Sequence, residues 1–94
     1  MKNKPFSMII IDGRRWFQKT YGNTYHSVSV TVDGVSLGNS GQHYGYGEHY
    51  RQTAAEMLIK AGYFKSWEEF NDATRNQRDK FYFTVCDVSR ERDL

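Results

Sequence analysis

Ninety-four residues suffice for one domain and leave no length for a second. The apolar fraction is 38% but aromatics make up 16%, so a core built here draws heavily on Tyr, Phe and Trp. A formal net charge of +2 falls short of what a dedicated nucleic-acid binder carries, and the single cysteine, Cys86, excludes an internal disulfide, which fits a reducing compartment.

The chain opens with "MKNKPFSMIII", in which charge precedes an apolar run. Asp12 breaks that run before it reaches the roughly 7–15 residues of a signal-peptide core. Nothing approaches a membrane span, and the expectation is a cytoplasmic protein with no membrane partner. Residues 7–11 read as a short strand, with a kink expected at Asp12-Gly13 before the next segment.

The next stretch alternates with period two. Val28, Val30 and Val32 interleave with Ser27, Ser29 and Thr31, the pattern of a half-buried strand. Asp33-Gly34 is a strong two-residue hairpin signal, because both central positions of that turn need positive φ. It sets Val32 against Val35 and Val30 against Leu37. A second turn at Gly22-Asn23 places Thr20 opposite Tyr25 and Phe17 opposite Val28. Phe17 then joins the valine face, while Trp16, Gln18, Thr20, Tyr25, Ser27, Ser29 and Thr31 share the other.

From about Glu48 the period becomes helical. Tyr50, Ala54, Met57, Leu58 and Ala61 recur on one stripe, and Gly62 supplies a stop. A second helix opens at "SWEEF", where Ser66 and Glu69 form a capping box ahead of a stripe of Trp67, Phe70 and Ala73. "FYFTVCDV" is a final strand with Phe81, Phe83 and Val85 on one face and Cys86 as a small buried hydrophobe. The charged tail "SRERDL" is expected to fray. The outline is a single α+β domain over residues 1–94: an antiparallel sheet of three to five strands with two helices packed on one face.

Catalysis finds little support. Glu68, Glu69 and Asp72 belong to the solvated face of a helix, and no serine, cysteine or lysine sits in turn chemistry suited to a nucleophile. His26, His43 and His49 show no diagnostic ligand spacing, so neither a metal nor a cofactor is expected. The loop "SGQHYGYGEHY", residues 40–50, matches no phosphate-loop pattern. It reads either as a passage from sheet to helix or as a ligand or partner contact, since Tyr gives large contact area at low entropy cost.

Charge is unevenly placed. Residues 1–32 carry five cations against Asp12, in the same third as Trp16, Phe17, Tyr21 and Tyr25. Arg14, Arg15, Trp16, Lys19, Tyr21 and Tyr25 form the first candidate contact surface. Tyr44, Tyr46, His43 and His49 form the second. Such a sheet face serves three uses: docking on a protein, with Trp, Tyr and Arg as anchors; holding single-stranded nucleic acid, with bases stacked on the rings; or pairing with a second copy of the chain.

Along "IDGRRWFQKTYGNTYHSV" and "YGYGEHYRQTAAEMLIKAGYF", roughly residues 9–64, the chain resembles a group of small bacteriophage- and prophage-encoded proteins. The group has no established activity, so no catalytic role carries over. The resemblance implies a bacterial host and a non-enzymatic protein that acts by stoichiometric binding. An inhibitor of a host defence complex, as anti-CRISPR proteins are, is the leading expectation. A sponge that sequesters a nucleotide signal, with the glycine–tyrosine loop at a pocket between subunits, is the alternative beside nucleic-acid binding.

Overall fold

The first half of the chain alternates so that one side of each strand is oily, and pairing those sides in register builds the sheet. A computed structural model describes residues 3–45 and 47–94. Strand β1 (Ile9–Gln18) pairs antiparallel with β2 (Asn23–Val32) in one unbroken register, from Ile9 opposite Val32 to Gln18 opposite Asn23. Residues 7–11 therefore lead into the first meander strand, and pairing runs through Asp12-Gly13 without a break.

The connection between β1 and β2 is longer than a two-residue loop at Gly22-Asn23. Phe17 faces Thr24 rather than Val28, and Trp16 faces Tyr25. The turn spans Lys19–Gly22, closed by the Gly22 N–H donating to the Gln18 carbonyl at 2.8 Å. The displacement from the expected register is four residues. Because it is even, every side chain keeps its face.

Asp33 and Gly34 have φ of +50° and +81°, as the tight hairpin requires, and Val32 faces Val35 in β3 (Val35–Asn39). A bulge between Val30 and Thr31 then sets Val30 against Gly38, not Leu37. The turn is also clasped from outside. Asp33 Oδ1 accepts from the Ser7 and Met8 N–H groups at 2.8 and 2.7 Å, and the Asp33 N–H donates to the Met8 carbonyl at 2.9 Å.

Two residues of the glycine–tyrosine loop form β4 (His43–Tyr44), which pairs with β2 through Tyr25–Tyr44 and His26–His43. The last strand, β5 (Phe81–Val88), lies beside β1 and runs parallel to it. The sheet order is β3-β2-β1-β5, with β4 also on β2, so the five-stranded sheet is mixed rather than antiparallel. Parallel neighbours need a long crossover, and the helical layer supplies it here.

That layer is α1 (His49–Lys60) and α2 (Trp67–Asn76). The core lies between them and the sheet face that carries Ile9, Ile11, Val28, Val30, Val32 and Phe81, closed by Tyr50, Ala54, Leu58 and Phe70. Gly13 matters on this side. A Cβ there would stand 2.7 Å from Tyr50 Cδ2, so the missing side chain is what lets the Tyr50 ring lie against the strand.

Helix α1 ends in a Schellman motif. The Gly62 N–H donates to the Ile59 carbonyl and the Tyr63 N–H to the Leu58 carbonyl, both at 3.0 Å, with Gly62 at φ +94°. At the start of α2, Ser66 Oγ accepts from the Glu69 N–H at 3.2 Å. The return arm goes to the Lys65 N–H at 3.3 Å, one residue short of a full capping box. The tail does not hang free: residues Glu91–Asp93 form a short 3-10 turn, and Arg14 Nη1 donates to the Asp93 carbonyl at 3.0 Å. No helix of the described residues is long and apolar enough to cross a membrane.

Candidate functional site: the uncovered sheet face

Strand alternation gives the sheet two unlike sides. Helices cover one. The other carries Ile10, Asp12, Arg14, Trp16 and Gln18 from β1, with Tyr25, Ser27, Ser29 and Thr31 opposite them on β2. β5 adds Tyr82, Thr84, Cys86 and Val88, and β4 adds Tyr44 beside Tyr25.

Three rings run in a row across β1, β2 and β4. Trp16 and Tyr25 stack with centroids 5.8 Å apart, and Tyr44 meets Tyr25 edge-on at 5.7 Å. Cross-strand pairing dictates this contact, since Trp16 and Tyr25 are direct partners and so are Tyr25 and Tyr44. Tyr44 is 61% exposed and Tyr82, on the far strand, 57%. Trp16 and Tyr25 are half-buried, and the C-terminal turn reaches this side at Arg14.

The charged side chains that the strands place on this face are Asp12 and Arg14, which cancel. Asp12 Oδ1 accepts from the Thr84 hydroxyl at 3.0 Å, and Arg14 remains exposed beside the C-terminal turn. Ser27, opposite Arg14, is buried, and its Oγ has no hydrogen-bond partner among the described residues. Cys86 lies here as well and is exposed, contrary to the expectation of a buried small hydrophobe.

Of the first expected surface, Arg14, Trp16 and Tyr25 fall together on this side. Arg15 does not. Adjacent strand residues point opposite ways, and Arg15 pairs with Asp87 at 2.8 Å and donates to the Gly47 carbonyl at 3.0 Å on the helix side. Lys19 joins it at a hollow of about 370 Å³, which Phe17 and Asp87 also line. Tyr21 sits in the β1–β2 turn, 73% exposed.

The second expected set also divides. Tyr44 belongs to the aromatic row, and Tyr46 lies outside the described residues. His43 and His49 gather around His26 on the helix side, with ring centroids 5.9 and 5.5 Å from it. His26 is buried, and both its nitrogens are engaged: Nδ1 with the Gly45 carbonyl at 3.2 Å and Nε2 with Thr53 Oγ1 at 2.6 Å. Donation from Nδ1 fits the carbonyl partner and leaves Nε2 to accept from the hydroxyl. Burial lowers the His26 pKa below its ordinary value, the Gly45 contact opposes this, and His49 and His43 add to the lowering.

With both nitrogens occupied, His26 is not free to ligate. Among the described residues no group of three His, Cys, Asp or Glu side chains is placed to hold a metal ion. The trio is a structural pin: it ties the passage at Gly45 to β2 and α1, helped by the Gly45 N–H donating to the Thr24 carbonyl at 3.0 Å. Gly45 is needed for a second reason, since a Cβ there would stand 2.6 Å from His49 Cγ. The signal for the pin was the parity of His26, which matches Val28, Val30 and Val32.

Comparison with protein-family models, curated proteins and solved structures finds no match to this chain.

Proposed function

We propose that this is a non-enzymatic binding protein that docks stoichiometrically on a protein partner through its uncovered sheet face. Inhibition of a bacterial defence complex by a phage-type accessory protein is the role that fits the resemblance of residues 9–64. The supporting observation is the aromatic row Trp16–Tyr25–Tyr44, with exposed Tyr82 toward the other end of the same face, where the strands' charges cancel. Tyr and Trp with few charges mark the centre of protein contact surfaces, and Tyr with Ser and Asn is the chemistry of antibody-type contacts. A nucleic-acid platform needs cations beside the rings. Of the three cations expected beside the rings, Arg14 lies on this side while Arg15 and Lys19 lie on the other.

The test is capture from bacterial lysate by the wild-type chain and by a Tyr44→Asp/Tyr82→Asp variant, both exposed positions. The reading expects one partner at fixed stoichiometry, held as salt rises from about 50 to about 200 mM, and lost by the variant. Nucleic-acid binding over that salt range weakens by orders of magnitude through counterion release. Recovery of nucleic acid with that salt dependence overturns the reading, as does a partner that the variant retains.

A further inference from the structure

The helix side of the sheet carries a second feature, independent of the aromatic row. Between α1, α2 and β5 lies a groove of about 630 Å³. Three arginines line it from three elements: Arg51 of α1, Arg75 of α2 and Arg78 of the short turn before β5. Asn71 adds a neutral amide, and Phe81 and Phe83 form the apolar wall.

No carboxylate is part of the lining. Glu48 and Asp72 form loose ion pairs with Arg51 and Arg75 at 3.8 and 3.9 Å, beyond hydrogen-bonding distance, and Arg78 lines the same space. The Arg51 guanidinium lies over the Phe83 ring, 4.1 Å from its centroid, and its Nε is buried with no acceptor among the described residues. A buried N–H without an acceptor is unfavourable, and three guanidinium groups facing one space leave it positive despite the two loose pairs. An oxyanion in the groove offsets the clustered positive charge. Guanidinium groups suit phosphate especially, because the planar fork donates two parallel hydrogen bonds.

Size narrows the ligand class. The groove falls within the range of roughly 300–1,000 Å³ that holds whole small molecules, far more than a phosphate ion fills. The Arg51–Phe83 stack offers a planar cationic surface of the kind on which nucleobases lie. We propose that this groove binds a phosphorylated small molecule of nucleotide size, its phosphate held by Arg75 and Arg78 and its planar organic part set against Arg51 and Phe83. The groove takes no lining residue from the glycine–tyrosine loop and requires no second subunit.

Calorimetric titration of the whole chain with the four ribonucleoside monophosphates, inorganic phosphate and a single-stranded oligonucleotide tests this. At least one mononucleotide is expected to bind, more tightly than inorganic phosphate. Arg75→Ala/Arg78→Ala is expected to weaken it by about tenfold or more, since charge-assisted bonds are lost. Both positions are exposed, and an unchanged melting temperature of the free variant shows that it folds. Arg51→Lys keeps the charge, loses the planar surface over Phe83 and is expected to bind less tightly than wild type. Four results overturn the proposal: no binding at millimolar mononucleotide, undiminished binding by the double variant, phosphate binding as tightly as every mononucleotide, or binding of the oligonucleotide alone. Tyr44→Asp/Tyr82→Asp is expected to leave this binding intact, so its failure and that of the sheet-face reading are separable.

Discussion

Replacing Gly13 by Ala probes the contact that seats α1 on the sheet. The added Cβ would stand 2.7 Å from Tyr50 Cδ2, 2.8 Å from Cγ and 3.3 Å from Cβ. Ordinary carbon contacts are about 3.5–4.0 Å, so ring or helix must retreat by roughly 1 Å. Ring rotation does not clear the clash, because Cγ lies on the axis about which the ring turns. Tyr50 is 3% exposed and packed in the core, so the retreat disturbs its neighbours. Overpacking of this kind costs about 1–3 kcal/mol. The strand recovers roughly 0.5–1 kcal/mol when Gly gives way to Ala.

The net expectation is a loss of about 1–2 kcal/mol, which for a domain of this size lowers the melting temperature by roughly 5–15 °C. Circular-dichroism melts and urea midpoints measure it directly. Tyr50→Leu removes the ring, so the double variant is expected to be less destabilised than the sum of the singles, by about 1 kcal/mol. A Gly13→Ala protein that melts at or above the wild-type temperature refutes the close approach of ring and strand.

His26 makes stability depend on pH. Its pKa in the folded chain is lowered from 6.5, chiefly by burial, so below that pH the unfolded chain takes up the proton first. The stability that neutral His26 contributes is therefore full above 6.5 and declines as pH falls toward its folded-state value. Melting temperature is expected to drop between about pH 7.5 and pH 5.5, and less so in His26→Gln; equal slopes in the two proteins contradict this. At the hairpin, Asp33→Ala removes the acceptor of the Ser7 and Met8 N–H groups and leaves a β-carbon at positive φ. It is expected to cost about 2 kcal/mol by urea denaturation, and Asn, which tolerates that φ and can still accept, about half as much. Asn as costly as Ala rules out the hydrogen-bonded clasp.

The sheet's two faces were legible because alternation is local: Val28, Val30 and Val32 announce the core side with no knowledge of their partners. The register of β1 on β2 was not. A two-residue loop at Gly22-Asn23 and a four-residue turn at Lys19–Gly22 give the same face pattern, since they differ by an even step. Pairing of Ile9 and Ile11 with Val32 and Val30 distinguishes them, and that contact is distant in sequence. The direction of β5 was hidden for a related reason, since it depends on the path through both helices and not on "FYFTVCDV" itself. Arg14 and Arg15 were grouped by proximity in sequence, yet strand geometry alone sends neighbours to opposite sides. The arginine groove draws on three separate elements, and no single window of the chain displays it.

The central claim is that the face bearing Trp16, Tyr25 and Tyr44 stays open in the free protein. Trp67→Phe leaves Trp16 as the sole tryptophan, so acrylamide quenching of its fluorescence reports on that face alone. Ready quenching that does not change with protein concentration is expected of an open face. Emission resistant to quencher, at every concentration or as concentration rises, would mean that the chain or a second copy already covers the face.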